Sequence, residues 1–131
     1  PVSAGWAVVA LAWATVDAGR VAAELGMDGV DRRPRDPALG ASVVLVPSLP
    51  VPTALLEPDI EGRLAAMLAR HGEGPVGLYA VRAGPSVAAF PERGPFGPQR
   101  LLVFSSAPWA PVILQVEPMR SARPSAATIE R

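Results

Sequence analysis

The sequence predicts an α+β protein made of two copies of one β-α-β-β-β unit, with a degenerate helix in the second copy. Three observations predict this fold class. Apolar runs of strand length recur along the chain, two segments between them have the spacing of amphipathic helices, and the order of segments in the first half is largely repeated in the second. A length of 131 residues is typical of one ordinary domain.

The first unit begins with a strand and a short helix. The run Ala7 to Val16 is apolar and contains β-branched residues, which predicts a strand with both faces covered. Asp17 is a suitable N-cap for the helix, Val21 and Leu25 lie four residues apart on one face, and Gly26 ends it.

The next segment is strongly charged. Gly29 to Gly40 contains five charged residues and two prolines, which predicts a surface loop with Arg32, Arg33 and Arg35 in solvent. Only a brief strand near Met27 to Val30 is compatible with this composition.

Two further strands complete the unit, and a helix follows them. Ala41 to Val46 and Thr53 to Glu57 are separated by a proline-rich connector and predict a hairpin. The helix is expected to start at Pro58 and Asp59 and to stop at Gly72. Its apolar face consists of Ile60, Leu64, Met67 and Leu68.

The second half repeats the strand pattern but lacks room for a long helix. Four prolines and three glycines between Arg82 and Pro98 leave only Ser86 to Phe90 for a helical turn. The predicted strands are Val76 to Val81, Arg100 to Ser105 and Pro111 to Glu117, and Pro118 to Arg131 is expected to be a loose tail.

Composition excludes several classes of function. Twelve basic and twelve acidic residues cancel, so neither nucleic acid nor a membrane surface is an expected partner. The chain has no cysteine, which removes disulfides, thiolate metal sites and cysteine nucleophiles. The apolar stretch from Gly5 to Val16 is too short for a membrane span and has no basic flank of a signal peptide, so a cytoplasmic protein is the default expectation.

The junction between the two halves carries a recognisable motif. Ala54-Leu-Leu-Glu-Pro58 precedes a helix that ends Leu68-Ala-Arg-His-Gly-Glu-Gly74. This run resembles the "ELLEP … GEG" junction of the vicinal oxygen chelate superfamily, which includes glyoxalase I, methylmalonyl-CoA epimerase and the bleomycin-resistance proteins. The pair Arg100 to Phe104 and Val112 to Pro118 is similar to the final hairpin of that family, and Val16-Asp17 to Gly26 resembles its first helix.

The resemblance implies a curved mixed sheet with a concave cleft and a homodimer. It implies one glyoxalase-like domain over residues 1–118, followed by a tail over 119–131. Within the domain, the first module covers residues 7–58, the linking helix 59–72 and the second module 75–118.

The resemblance also locates a metal site, which we predict to be lost. In metal-using members one ligand comes from each of four strands. These positions fall near Ala10, on Ala54, on Val76 or Gly77, and on Gln115. Because three of the four have no donor side chain, we expect neither a metal nor another cofactor.

Other chemistry has little support in the sequence. His71 is the only histidine, and we interpret it as a residue at the helix C-terminus rather than a metal ligand. Glu57, Asp59 and Glu61 fit a helix N-terminus better than a magnesium site. No serine has the sequence context of a nucleophile, so no catalytic residue is assigned and the sequence favours a non-enzyme.

With these chemistries set aside, the feature that could carry a function is an apolar cleft on the concave face of the sheet. The candidate ligand-binding residues are Trp13, Tyr79, Phe104, Trp109 and Gln115, although each aromatic side chain could instead fill the core. We therefore predict a metal-free protein that binds a small apolar or aromatic molecule, such as an antibiotic or other natural product that it sequesters. A lyase or isomerase of the same superfamily and a structural domain with a filled cleft are the alternatives.

Overall fold

A computed structural model describes residues 5–27, 31–83 and 89–118 of the chain. It contains eight strands: β1 Trp6–Ala14, β2 Asp31–Asp36, β3 Ala41–Val46, β4 Thr53–Pro58, β5 Gly74–Arg82, β6 Glu92–Gly94, β7 Gly97–Val103 and β8 Val112–Val116. Its two helices are α1 Ala18–Glu24 and α2 Arg63–His71. Within these described residues, neither helix has the length and apolar character needed to cross a membrane.

The eight strands form one mixed sheet in the order β2-β3-β4-β1-β5-β8-β7-β6. β1 pairs in parallel with β4, and β5 pairs in parallel with β8, so the two halves have the same internal arrangement. β1 and β5 join the halves as an antiparallel pair. Because the outer strands β2 and β6 lie near each other, the sheet is curved and nearly closed. The predicted α+β fold with a curved mixed sheet is confirmed.

The interior of this curved sheet holds the main core. All three alanines at alternating positions of β1, Ala10, Ala12 and Ala14, face it and are fully buried. Leu64 and Met67 of α2 pack into the same cluster, and the Leu64 N–H donates to the Leu39 carbonyl. α2 therefore covers part of the interior of the sheet.

The opposite, outer face of the first half is covered by α1. Ala18 and Ala22 of α1 pack on Val44, Val46 and Leu55, which form a second buried cluster. These strand residues alternate with Val43, Ala54 and Leu56 of the interior core.

In the second half, a polar pair of residues replaces the apolar pair that α1 covers in the first half. Val44 and Leu55 are cross-strand partners in the first half. In the second half the equivalent partners are Arg100 and Gln115, whose side chains share a hydrogen bond of 3.2 Å. Because arginine and glutamine side chains can remain in contact with water, this part of the sheet does not require cover by an apolar helix. This agrees with the non-helical backbone at residues 83 and 89–91, although most of the predicted turn from Ser86 to Phe90 lies outside the described residues.

The predicted loop from Gly29 to Gly40 is wrong, because residues 31–36 form β2. The strand lies at the edge of the sheet, where charged residues and proline are common. Its ladder with β3 is irregular between Arg33 and Asp36, which accommodates Pro34 and its missing N–H. The brief strand predicted near Met27 to Val30 lies mostly outside the described residues, as does the tail over 119–131.

The predicted start of the second helix is also wrong. β4 continues to Pro58, which pairs with Ala41, and the Asp59 N–H donates to the Gly40 carbonyl. α2 begins only after Gly62, whose φ of 130° favours glycine. Ile60, predicted on the apolar face, is 97% exposed.

The two predicted hairpins are confirmed as the β3–β4 and β7–β8 pairs. β6, at Glu92–Gly94, was not predicted, since the segment from Arg82 to Pro98 was expected to form at most a helical turn. The other predicted strands differ from the structure only at their ends. β5 is longer than predicted and begins at Gly74, while β7 begins at Gly97 and stops at Val103.

Candidate functional site

The four metal-ligand positions implied by the resemblance lie on the four central strands. Ala10 and Ala54 are fully buried in the interior core. Gly77 is paired with Ala12, a neighbour of Ala10 on the same face of β1.

The fourth position needs a correction, because Gln115 does not face the interior. Leu114 belongs to the interior core and is the cross-strand neighbour of Tyr79, so Gln115 lies on the outer face. The sequence contains the signal for this register: Ala54-Leu-Leu-Glu-Pro58 aligns with Leu114-Gln-Val-Glu-Pro118, which matches Leu114 to Ala54. Gln115 accepts a hydrogen bond from Arg100 on the outer face instead.

These positions do not fit a metal ion. Ala10, Ala54, Val76, Gly77 and Leu114 all lack a donor atom in their side chains. A Cβ atom at residue 77 would overlap the carbonyl oxygen of Val112, so no larger side chain fits there without movement of the backbone. Throughout the described segments, no group of three or more histidine, cysteine, aspartate or glutamate residues is arranged to hold a metal.

Tyr79 occupies the interior of the sheet. Its side chain is 0% exposed, and its hydroxyl donates a hydrogen bond of 2.6 Å to Asp36 Oδ2. Burial, and secondarily the Asp36 carboxylate, raise the pKa of Tyr79 well above its usual value of 10, so the hydroxyl remains a donor. Tyr79 therefore contributes to the core.

The partner carboxylate connects three strands of the sheet. Asp36 on β2 accepts the Tyr79 hydroxyl from β5 and, at 3.1 Å, the side-chain amide of Gln99 from β7. It also accepts the Leu39 N–H at 3.0 Å. These three donors offset the cost of burying the carboxylate.

Phe96 closes this interior near the edges of the sheet. Its ring lies edge-on to Tyr79, with 5.0 Å between ring centroids. Arg33 of β2 places its guanidinium 5.3 Å from the centre of the Phe96 ring and donates to the Pro95 carbonyl at 3.1 Å. Arg33 was predicted to lie free in solvent, but it links β2 to the β6–β7 turn.

A cavity lies elsewhere, between α1 and the outer face of the sheet. Its volume is about 520 Å³, within the range of small-molecule sites. β1 and β4 provide its floor, α1 provides one wall, and Leu49 and Glu73 complete it. The lining consists of Leu11, Trp13, Arg20, Val21, Glu24, Leu25, Leu49, Thr53, Leu55 and Glu73.

Two carboxylates fix the start of the helix that forms the wall. The side chain of Asp17 accepts the Arg20 N–H at 3.0 Å and so caps α1. Glu57 accepts the Ala18 N–H at 2.5 Å. Glu57 belongs to the Leu-Leu-Glu-Pro motif, and it supports α1 rather than α2, contrary to the prediction. Asp59, from the same acidic group, forms an ion pair with Arg35.

Glu73 joins α1 to β1. It accepts the Thr15 hydroxyl at 2.7 Å and the Val16 N–H at 2.9 Å. Both of its oxygens accept from Nη2 of Arg20, at 3.0 and 2.7 Å. The Val16 N–H and the Thr15 hydroxyl, followed by Arg20, lower the pKa of Glu73 to about 2, so it is ionised at neutral pH.

The other aromatic candidates lie away from this cavity. Phe104 is 72% exposed after the end of β7. Trp109 is 37% exposed and packs under the Arg70 guanidinium at the end of α2, 4.8 Å from the ring centre. Its carbonyl lies 3.2 Å from His71 Nε2, so His71 is at the helix end as the sequence indicates.

The structure thus separates the five predicted ligand-binding residues. Trp13 lines the cavity, Tyr79 fills the interior, and Gln115 faces outward in the second half. Sequence reasoning missed the contribution of α1, although Val21 and Leu25 were recognised as one helical face. The link between Asp36 and Tyr79, 43 residues apart, had no local signal.

Comparison with solved structures identifies proteins with the same fold. A hypothetical protein of Bacillus halodurans has a TM-score of 0.64 and 17% identity, covering 90% of this chain and 98% of its own. Methylmalonyl-CoA epimerase of Mycobacterium tuberculosis has a TM-score of 0.61 and 18% identity, covering 92% and 93%. A variant of the Streptomyces coelicolor methylmalonyl-CoA epimerase in complex with 2-nitronate-propionyl-CoA has a TM-score of 0.55 and 16% identity, covering 83% and 93%.

No protein-family model and no curated protein matches the sequence. The structural similarities therefore show the fold, which is glyoxalase-like.

Proposed function

On this glyoxalase-like fold, we propose that the chain is a metal-free protein that binds a small apolar or aromatic molecule in the cavity between α1 and the sheet. The observation that carries the proposal is the cavity itself. It has about 520 Å³ of space, and six of its ten lining residues are apolar.

The lining suits an apolar guest. Trp13 offers an aromatic face and, with Leu11 and Leu55, forms an apolar floor on the sheet. Val21 of α1 and Leu25, the C-cap residue of that helix, add further apolar lining. Burial of apolar area against these side chains contributes about 25 cal/mol per Å² to binding, before the cost of immobilising the ligand.

Among the described residues, the interior of the sheet lacks a group of side chains that could hold a metal, which supports a function in ligand binding rather than metal-dependent catalysis. Once the register of β8 is corrected from Gln115 to Leu114, the interior positions that correspond to metal ligands carry alanine, valine or glycine, and leucine, and Tyr79 is fully buried beside them. A protein that binds a molecule without altering it lowers that molecule's free concentration. The biological role that we propose is therefore sequestration of a natural product, as the sequence predicted.

The test is a titration with the neutral apolar dye N-phenyl-1-naphthylamine, followed by dye fluorescence and by quenching of tryptophan fluorescence. The unaltered chain is expected to bind the dye equally with and without a chelator. Val21→Phe reduces the space between α1 and the sheet and is expected to weaken binding by about tenfold, equivalent to ~1.4 kcal/mol.

Val8→Phe is the matched control. Val8 is exposed on β1 and does not line the cavity, so the same substitution there is expected to leave dye binding unchanged. If the unaltered chain fails to bind the dye, or if Val21→Phe binds it as well as Val8→Phe does, the proposed site is wrong.

A structural domain is the second candidate, and the filled interior is the observation that favours it. Tyr79, Phe96, Asp36 and Gln99 link strands from both halves of the sheet. On this alternative no apolar probe binds, so the same titration distinguishes the two functions.

A further inference from the structure

The cavity lining has an uneven charge. Its ten residues include one arginine, Arg20, and two glutamates, Glu24 and Glu73, which gives a net charge of minus one. The chain as a whole is neutral. The negative charge is therefore a local feature of this cavity.

Arg20 and Glu73 largely neutralise each other. The Arg20 guanidinium contacts both oxygens of Glu73, and the remaining hydrogen bonds of Glu73 come from Thr15 and Val16. Paired in this way, Glu73 has little capacity to attract a ligand, and Arg20 has little capacity to repel a cation.

Glu24 makes weaker contacts within the protein than Glu73 does. Its described ion contact is Oε1 to Arg20 Nη1 at 3.6 Å, which is longer than a hydrogen bond. Its side chain is 65% exposed, which places a negative charge at the solvent-facing part of the cavity. Val21 and Leu25, close to Glu24 in the sequence, add apolar side chains to the same lining.

An apolar floor with a carboxylate at the exposed side has the polarity of a site for an amphipathic cation. Trp13 adds to this preference, because the face of an indole ring attracts cations as well as apolar groups. An anionic ligand would instead meet Glu24 with like charge.

We propose that the cavity selects molecules with an aromatic or aliphatic body and one ammonium group, with the body on Trp13 and Leu55 and the ammonium at Glu24. This inference rests on the proposed function and adds the class of ligand to it.

The experiment uses three probes with the same body: 4-phenylbutylamine, 4-phenylbutanol and 4-phenylbutyrate. Each displaces N-phenyl-1-naphthylamine from the full chain at neutral pH and low salt. We expect the amine to bind about threefold more tightly than the alcohol, the usual scale of one exposed ion pair. The carboxylate is expected to bind most weakly, and added salt is expected to reduce these differences.

Glu24→Gln and Glu61→Gln locate the effect, because both remove one negative charge from an exposed side chain. Glu61 precedes α2 and does not line the cavity. Glu24→Gln is expected to abolish the preference for the amine, and Glu61→Gln is expected to retain it.

The outcomes separate this inference from the proposed function. If the alcohol displaces the dye as well as the amine does, or if Glu24→Gln keeps the preference, the cation selectivity at Glu24 is wrong and the apolar site stands. If the dye does not bind at all, the proposed function fails, and the inference fails with it.

Discussion

Tyr79 on the central strand β5 donates its hydroxyl to Asp36 on the edge strand β2, with 2.6 Å between the oxygens. Both side chains are fully buried. The edge strand therefore curves back far enough for its carboxylate to reach the middle of the sheet. This hydrogen bond is one of the contacts that hold the sheet in its nearly closed form.

Tyr79→Phe tests the contribution of this hydrogen bond. The substitution keeps the ring but leaves Asp36 Oδ2 without the hydroxyl donor. Because an unsatisfied buried acceptor is costly, we expect the free energy of unfolding to fall by about 1–3 kcal/mol. Urea denaturation followed by circular dichroism measures the change.

A double-mutant cycle with Asp36→Asn checks that the loss comes from the pair. The two substitutions are expected to be non-additive by about 0.5–3 kcal/mol, because they alter one network. Effects that simply add would mean that the hydroxyl and the carboxylate do not interact in solution.

The hydrogen bonds that Glu73 accepts from Thr15, Val16 and Arg20 make the stability of the fold depend on pH. The folded-state pKa of Glu73 is lowered to about 2 from its ordinary value of 4.5. Its contribution is therefore fully present above about pH 4.5 and is lost as the pH falls toward 2. Glu73→Gln is expected to be less stable than the unaltered chain at pH 6, and the difference is expected to shrink between pH 4.5 and 2.

Urea denaturation at pH 6, 4, 3 and 2 measures this difference. Glu61→Gln, at an exposed position, is the control and is expected to show no such convergence. A gap between Glu73→Gln and the unaltered chain that stays constant from pH 6 to 2 would show that the carboxylate is not anchored by Thr15, Val16 and Arg20.

Gly77 is expected to be intolerant even of alanine. A Cβ atom there would overlap the backbone carbonyl of Val112 on the neighbouring strand. Overpacking of this kind lowers stability by about 1–3 kcal/mol. Gly77, one of the two residues to which the resemblance assigns a metal-ligand histidine, therefore cannot be replaced by histidine without rearrangement of β8.

Gly19→Ala is the matched control. Gly19 lies in α1, where the added Cβ meets only Asp17 Oδ1 at an ordinary distance of 3.5 Å. The change is expected to stabilise the chain by about 0.5–1 kcal/mol, because alanine favours the helix. Thermal unfolding of both variants measures the contrast, and equal tolerance of alanine at the two sites would contradict the close approach of β5 and β8.

Several parts of the fold were predictable because their signals are local. The apolar runs of β3 and β4 and the proline-rich connector between them predicted the hairpin correctly. The charged β2 was missed because edge strands receive their hydrogen bonds from a neighbour and need no apolar pattern of their own. The start of α2 was misplaced because β4 continues through Pro58, which pairs with Ala41.

The candidate site was predictable only in part, for a similar reason. Trp13 was expected to line the concave interior of the sheet, but it lines the cavity on the outer face. The prediction that Gln115 faces the interior was wrong, because Leu114, one residue earlier, has that orientation. A shift of one residue moves a side chain to the other face of a sheet. The repeated Glu-Pro motif gives the correct register, because it aligns β4 with β8.

The sequence by itself determined the α+β class, the repeated strand order and the absence of donor side chains at three of the four implied metal positions. Those properties depend on residue type and short-range spacing. The tertiary structure decided that Tyr79 meets Asp36, that Leu114 rather than Gln115 faces the interior, and that the cavity lies under α1. Each of these depends on how distant segments are brought together by the curvature and register of the sheet, which no local pattern encodes.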